Sequence, residues 1–138
     1  MILRFAFLFF FLIWSGFTAS AEEWDCVDWE SKDQTTMNIC SHLQFQKVDG
    51  VLNEVWPVIL KHMEQVDKAS KDFFPEYANG ANKLLQAQRA WIRFRDAHCE
   101  TVGAQYAGGS IRPLIQNLCK EELTGNRIEQ LESLMQED

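Results

Sequence analysis

Four cysteines, Cys26, Cys40, Cys99 and Cys119, stand downstream of an apolar leader, and the leader decides what they are for. Met1-Ile2-Leu3-Arg4 is a short positive start, and Phe5 to Trp14 is an unbroken apolar run of ten. Small residues then lead to Ala19-Ser20-Ala21, an A-x-A-type cleavage site. This is the pattern of a secretory signal peptide over residues 1–21. A membrane anchor is the alternative, but ten residues span only about 15 Å, roughly half of a hydrocarbon core. Cys26 lies five residues past the expected cleavage point, which argues against a lipidated N-terminus. The mature chain is expected to be one domain over residues 22–138, periplasmic or secreted, with no membrane contact after cleavage.

In an oxidising compartment an even cysteine count in a small domain reads as disulfides. Four cysteines allow three pairings. The local pairing, Cys26–Cys40 with Cys99–Cys119, is favoured because each bridge closes a modest loop around a helix start or a helix turn. The spacing leaves the crossed pairings open. Metal or redox-dithiol use is the competing reading, and the absence of a C-x-x-C pair argues against it. Each bridge adds about 2–4 kcal/mol, a large share of the ~5–15 kcal/mol that holds a typical domain.

The mature chain reads as helices joined by short loops. From Thr36 the apolar positions run Met37, Cys40, Leu43, Val48, Val51, Leu52, Val55, Ile59, Met63 and Val66, one face of an α-helix with Thr35 or Thr36 as N-cap. Gly50 is a mild penalty and Pro57 removes a backbone donor, so a kink or break is expected between Asn53 and Pro57. Residues 67–82 read as a connector, with Pro75, Asn79, Gly80 and Asn82 as breakers. A second helix is expected from about Lys83 to Tyr106, its inward stripe being Leu84, Ala87, Trp91, Phe94 or Arg95, His98 and Val102. Gly108-Gly109-Ser110 ends it. Two shorter helices follow, Ile111 to Glu122 and Thr124 to Met135. No stretch alternates long enough for a strand, so the fold class is all-α: a small, disulfide-stapled bundle of about four helices.

Charge is placed unevenly. Residues 22–138 carry 12 basic and 20 acidic side chains, a net of −8, which argues against a nucleic-acid partner. The acids gather at the two ends, six in residues 22–33 and six in residues 121–138. Such ends either keep a protein soluble or steer a cationic partner toward it. Solubility is the plainer use; Trp24 and Trp29 inside the acidic leader add some weight to the second, because tryptophan is a preferred interface anchor.

Residues able to do chemistry are scarce. His42, His62 and His98 fall into no H-E-x-x-H arrangement. His98 precedes Cys99, but a disulfide-bonded cysteine is no nucleophile and helix neighbours point about 100° apart. Glu121 and Glu122 are adjacent rather than facing across a cleft. Gly108-Gly109-Ser110 is a helix stop before it is an anion nest. The reading is a non-enzyme with no cofactor and no metal.

The second helix carries a resemblance. Ala87-Gln88-Arg89-Ala90-Trp91-Ile92-Arg93-Phe94-Arg95-Asp96-Ala97-His98-Cys99 resembles the A-Q-R-x-W-x-x-[FY]-R-D-x-x-C core of the LprI-like lysozyme-inhibitor N-terminal domain family. Supporting matches in the same order are Thr36 to Cys40, Val51-Leu52-Asn53, Gly108-Gly109-Ser110, and Cys119 followed by Thr124, Arg127 and Leu131. The resemblance spans about residues 26–131 and departs from the family pattern at Pro57. It implies a small secreted helical domain, some of whose relatives inhibit lysozyme.

Within the motif, Trp91 and Phe94 are expected as core anchors. Arg95 and Asp96, as neighbours, are expected to face different partners. Arg95 is assigned to Glu54 or Asp49, and Arg127 to Asp96 or Glu100, as structural ion pairs. Two function classes follow. The first is an inhibitor that occludes the cleft of a bacteriolytic muramidase, its acidic charge suited to a basic lysozyme. The second is an envelope interaction, immunity or scaffolding protein with another target. The elements expected to touch the partner are the leader with Trp24 and Trp29, and the loop at Gly108, Gly109 and Ser110.

Overall fold

Asp33 sets where the first helix begins. Its carboxylate accepts from the Thr35 N–H at 2.9 Å, the Thr36 N–H at 3.1 Å and the Thr36 hydroxyl at 2.7 Å, pairing donors that a helix start otherwise leaves open. The computed structural model describes residues 24–136, so the expected signal peptide lies outside the described residues. From the Asp33 cap, α1 runs over Gln34–Ser70. Helix α2 covers Gly80–Ala104 and α3 covers Arg112–Glu132. Single 3-10 turns stand at Trp29–Ser31 and Ser133–Met135. No strand occurs among the described residues, and the all-α bundle has three helices rather than about four.

Two expected boundaries are absent. Pro57 sits inside α1 without breaking it. The proline withholds a donor from the Asn53 carbonyl, but both residues are exposed, so water can take the donor's place. Leu52 and Ile59, on the buried side, pack with Leu131 of α3. Their burial contributes about 1.5–3 kcal/mol each, which offsets the ~3 kcal/mol of an interior proline. The second absent boundary is at Thr124, expected to open a fourth helix. Thr124 is instead fully buried in the middle of α3, its hydroxyl donating to the Lys120 carbonyl at 2.7 Å. That bond to the preceding turn satisfies the hydroxyl without interrupting the helix.

The apolar core is thin. Leu52, Ile59 and Leu131 form its centre, with Val55, Trp56, Leu84, Trp91 and Ile128 half-buried around them. The inward face of α2 keeps the expected stripe at Leu84, Trp91, Arg95 and Val102 and departs from it elsewhere: Gln88, Arg95, Cys99 and Gly103 are its buried residues, whereas Ala87, Phe94 and His98 are exposed. Polar bonds close the end nearest the Asp33 cap. Asn117 of α3 donates through Nδ2 to the Ser41 hydroxyl at 3.1 Å, and Asn38 donates to the Ser110 carbonyl at 2.9 Å. Disulfides join Cys26 to Cys40 and Cys99 to Cys119. The first ties the leader to α1; the second ties α2 to α3.

Helix α1, at 37 residues, is about 55 Å long, against about 31 Å for the 21 residues of α3. The two run parallel from the Asn38–Asn117 level to the Ile59–Leu131 level. Beyond it, the last turns of α1 continue beside the first turn of α2. There Asp67 takes over the capping of α2, accepting from the Gly80 N–H at 2.8 Å and the Ala81 N–H at 2.9 Å.

Two stability predictions follow from these helix contacts. A Cβ at Gly103 would stand 2.4 Å from the Gln116 Cγ, whereas one at Gly125 meets nothing within 4 Å. Gly103→Ala should therefore destabilise by about 1–3 kcal/mol, and Gly125→Ala in α3 should stabilise by about 0.5–1 kcal/mol. Urea unfolding of both variants checks the opposite signs. The second concerns pH. The Thr36 hydroxyl, then the Thr36 N–H, hold the Asp33 carboxyl below its ordinary range, and the Lys32 ammonium does the same for Asp25. Both folded values lie below the unfolded ones, so their stabilisation is complete above about pH 4 and is lost as pH falls through the folded values. Urea midpoints measured from pH 7 to pH 2 should decline in the acid limb, and Asp33→Ala should make that limb shallower.

Candidate functional site

The motif on α2 builds a ladder of cations and rings through the bundle. The Arg95 guanidinium carbon lies 5.2 Å from the centroid of Phe45 of α1 and 5.2 Å from that of Trp91. The Lys120 ammonium of α3 stands 5.7 Å from the Phe45 centroid and the Arg127 guanidinium of α3 stands 5.9 Å from that of Trp91. All three helices contribute. Each contact of this kind is worth about 0.5–2 kcal/mol, rising with desolvation.

Arg95, at the centre, is 7% exposed and its donors are directed at several partners. Its Nη1 donates to Asp49 Oδ1 at 2.7 Å and to the Thr124 hydroxyl at 3.2 Å, and its Nε donates to Asp96 Oδ1 at 3.0 Å. Asp49 is thus the partner on α1, and Glu54 is not. The expectation that Arg95 and Asp96 ignore each other fails, because the Nε–H reaches back along its own helix to the neighbouring carboxylate. Arg127 does not meet Asp96 or Glu100; it donates to Gln88 Oε1 at 2.9 Å and to Gln130 Oε1 at 3.2 Å. Burial lowers the Arg127 pKa from its ordinary value. Phe94 is no core anchor: it is 54% exposed and stacks on His98 with ring centroids 5.3 Å apart. Beside the ladder, α1 and α2 part to leave a groove of about 370 Å³ lined in part by Asp49, Trp56, Gln88 and Arg95.

The two elements expected to touch a partner lie at one end of the bundle. Trp24 and Trp29 flank Cys26, which is bonded to Cys40, and they line a shallow depression with Leu43 and Lys47 of α1. Trp24 is exposed and Trp29 is half-buried. The Gly108–Ser110 loop is held to the same end by the bond from Asn38 to the Ser110 carbonyl. Gly108 has φ +80°, a backbone that side chains rarely adopt, so the tight turn needs glycine.

At the opposite end stands a feature that sequence reasoning passed over. Phe73, Phe74 and Tyr77, in the connection between α1 and α2, are all exposed. The stretch reads as a polar connector because its breakers are conspicuous. The available signal was three aromatic residues within five positions of a loop, where apolar side chains have no core to join. Among the described residues, no group of three or more His, Cys, Asp or Glu is placed to hold a metal ion, and no helix is long and apolar enough to cross a membrane. The arrangement offers shape, charge and rings for recognition.

The family described as Lysozyme inhibitor LprI matches residues 26–131. An uncharacterized protein of Rhizobium meliloti (strain 1021) is 35% identical over 118 residues, covering 86% of this chain and 84% of the relative. The uncharacterized protein YecT of Escherichia coli (strain K12) is 32% identical over 81 residues, covering 56% of this chain and 49% of YecT. No solved structure matches.

The ladder yields a prediction about Arg95. A lysine keeps the charge but cannot donate to Asp49, Asp96 and Thr124 together while staying close to the Phe45 and Trp91 rings. Arg95→Lys should lose about 1–3 kcal/mol and Arg95→Met about 2–4 kcal/mol, the larger loss reflecting carboxylates left without their cation. Thermal and urea unfolding under oxidising conditions would measure both; a lysine variant as stable as wild type would show that the fork geometry is dispensable.

Proposed function

Because the chain belongs to the lysozyme inhibitor LprI family, we propose that it is an exported binding protein that inhibits a bacteriolytic muramidase by covering its substrate cleft. The match over residues 26–131 carries this reading. Two further features support it. The disulfides Cys26–Cys40 and Cys99–Cys119 suit an oxidising compartment, in keeping with the signal-peptide pattern of residues 1–21 and a mature form of residues 22–138 in the periplasm or outside the cell. The net charge of −8 on residues 22–138 suits a basic enzyme and speeds the encounter at low salt.

Inhibition of this kind asks for no chemistry from the inhibitor. It asks for a rigid surface whose shape is fixed before binding, so that little ordering entropy opposes the complex. Both ends of the bundle are available: the leader end, with Trp24, Trp29 and Gly108 to Ser110, and the α1–α2 connection.

The test is lysis of peptidoglycan by a purified basic lysozyme with added oxidised protein of residues 22–138, at two salt concentrations. An equally acidic unrelated protein serves as control. Inhibition should saturate at about equimolar protein, with salt slowing association more than it weakens the final complex. Inhibition no greater than the control's would overturn the reading and turn the search to other proteins of the cell envelope.

A further inference from the structure

Steps of three and four along α2 place Leu85, Gln88, Ile92 and Arg95 on one face of the helix. That face lines the groove between α1 and α2, with Leu52 and Trp56 of α1 opposite. Gln88 is 6% exposed and Arg95 7%. Polar side chains buried this deeply ordinarily have their donors paired. Gln88 does not. Its Oε1 accepts from the Arg127 Nε–H, but its Nε2 donates to no group among the described residues. Arg95 commits Nε and Nη1 to Asp96, Asp49 and Thr124 and leaves Nη2 without a partner. No side-chain nitrogen or oxygen among the described residues is both sealed from solvent and unpaired. Both nitrogens therefore reach the exterior, and the groove that the two residues line is the opening available to them.

The acceptors beside them are already engaged. Asp49 Oδ1 takes the Arg95 Nη1–H at 2.7 Å, and Asp49 Oδ2 takes an N–H of Asn53 at 3.4 Å. Arg89, exposed on the same lining, forms no ion pair among the described residues. Arg89 and Arg95 against Asp49 give the lining a net charge of +1. A sugar hydroxyl both donates and accepts, so it would ask for acceptors that this groove has already used. An ammonium would meet two cations. A carboxylate only accepts, and its bonds to a guanidinium are charge-assisted.

We propose that the α1–α2 groove binds a small carboxylic acid with an apolar body. Its carboxylate accepts from Gln88 Nε2 and Arg95 Nη2 beside the Arg89 cation, and its body lies against Leu52, Trp56 and Ile92. The volume of about 370 Å³ is near the lower end of the ~300–1,000 Å³ of small-molecule pockets, which suits a free acid rather than a polypeptide segment. Neither the Trp24–Trp29 leader nor the Gly108–Ser110 loop lines the groove, so the site is independent of the inhibitor reading.

Octanoate is the probe, with octanol and octylammonium as chain-matched controls. Titrated into oxidised protein of residues 22–138 and followed by nitrogen–proton NMR, octanoate should shift the Trp56 indole N–H signal saturably and leave that of Trp24 in place. It should bind at least tenfold more tightly than either control and raise the melting temperature. Gln88→Glu keeps an acceptor for Arg127 and sets a carboxylate against the ligand's own. This variant should melt near the wild-type temperature and bind octanoate at least tenfold more weakly. Arg89→Ala changes an exposed residue and should weaken octanoate several-fold while leaving octanol unchanged; it decides the matter if Gln88→Glu fails to fold. Absence of a saturable Trp56 shift, equal binding of octanoate and octanol, or octanoate binding that neither substitution weakens overturns the proposal. Shifts confined to Phe73, Phe74 and Tyr77 would mark adsorption to exposed rings and overturn it as well.

Discussion

Arg95 is a charged side chain at a place where a bundle of this size would ordinarily put a leucine. Around it, Phe45, Trp91, Lys120 and Arg127 alternate ring and cation from three helices, and Asp49, Asp96 and Thr124 take up its donors. A guanidinium so enclosed gives up hydration and recovers it only if partners are present from every side. The position of each helix is therefore coupled to the other two through one side chain. Leu52, Ile59 and Leu131 supply apolar burial at one level of the bundle; the ladder supplies orientation at the next.

That division explains how a chain with few fully buried apolar residues holds three helices together. Apolar contacts tolerate sliding, because one methyl group is much like another. Directed donors do not. The Asn38, Ser41 and Asn117 bonds fix one end, the ladder fixes the middle, and Asp67 fixes the first turn of α2. The two disulfides reinforce the end where the helices α2 and α3 turn and where the leader meets α1.

Much of this was legible in the sequence, and the failures have identifiable causes. Apolar residues at steps of three and four gave the helical class, and Asp49 stood among the partners expected for Arg95. The helix count failed at Thr124, where a residue that favours helix starts is instead buried against Arg95, a tertiary contact invisible to a local window. The break at Pro57 failed for the same reason, since Leu52 and Ile59 are held by Leu131. On α2 the stripe left Phe94 or Arg95 open and hydrophobicity chose Phe94 as the core anchor; the buried residue is Arg95, and a second polar residue, Gln88, is buried one position past the expected Ala87. Breakers hid the aromatic tip, because the same prolines and glycines that end helices also say nothing of what a loop displays.

The disulfides join consecutive cysteines, with sequence separations of 14 and 20. For a chain threaded N-terminus first into an oxidising space, Cys40 emerges while Cys26 has no other partner, so that pair has the first opportunity to close. Order of appearance and native connectivity coincide, so correct oxidation needs no later exchange of partners. Consecutive pairing of this kind lowers the demand on a disulfide isomerase, because each cysteine's native partner is the first one it can meet.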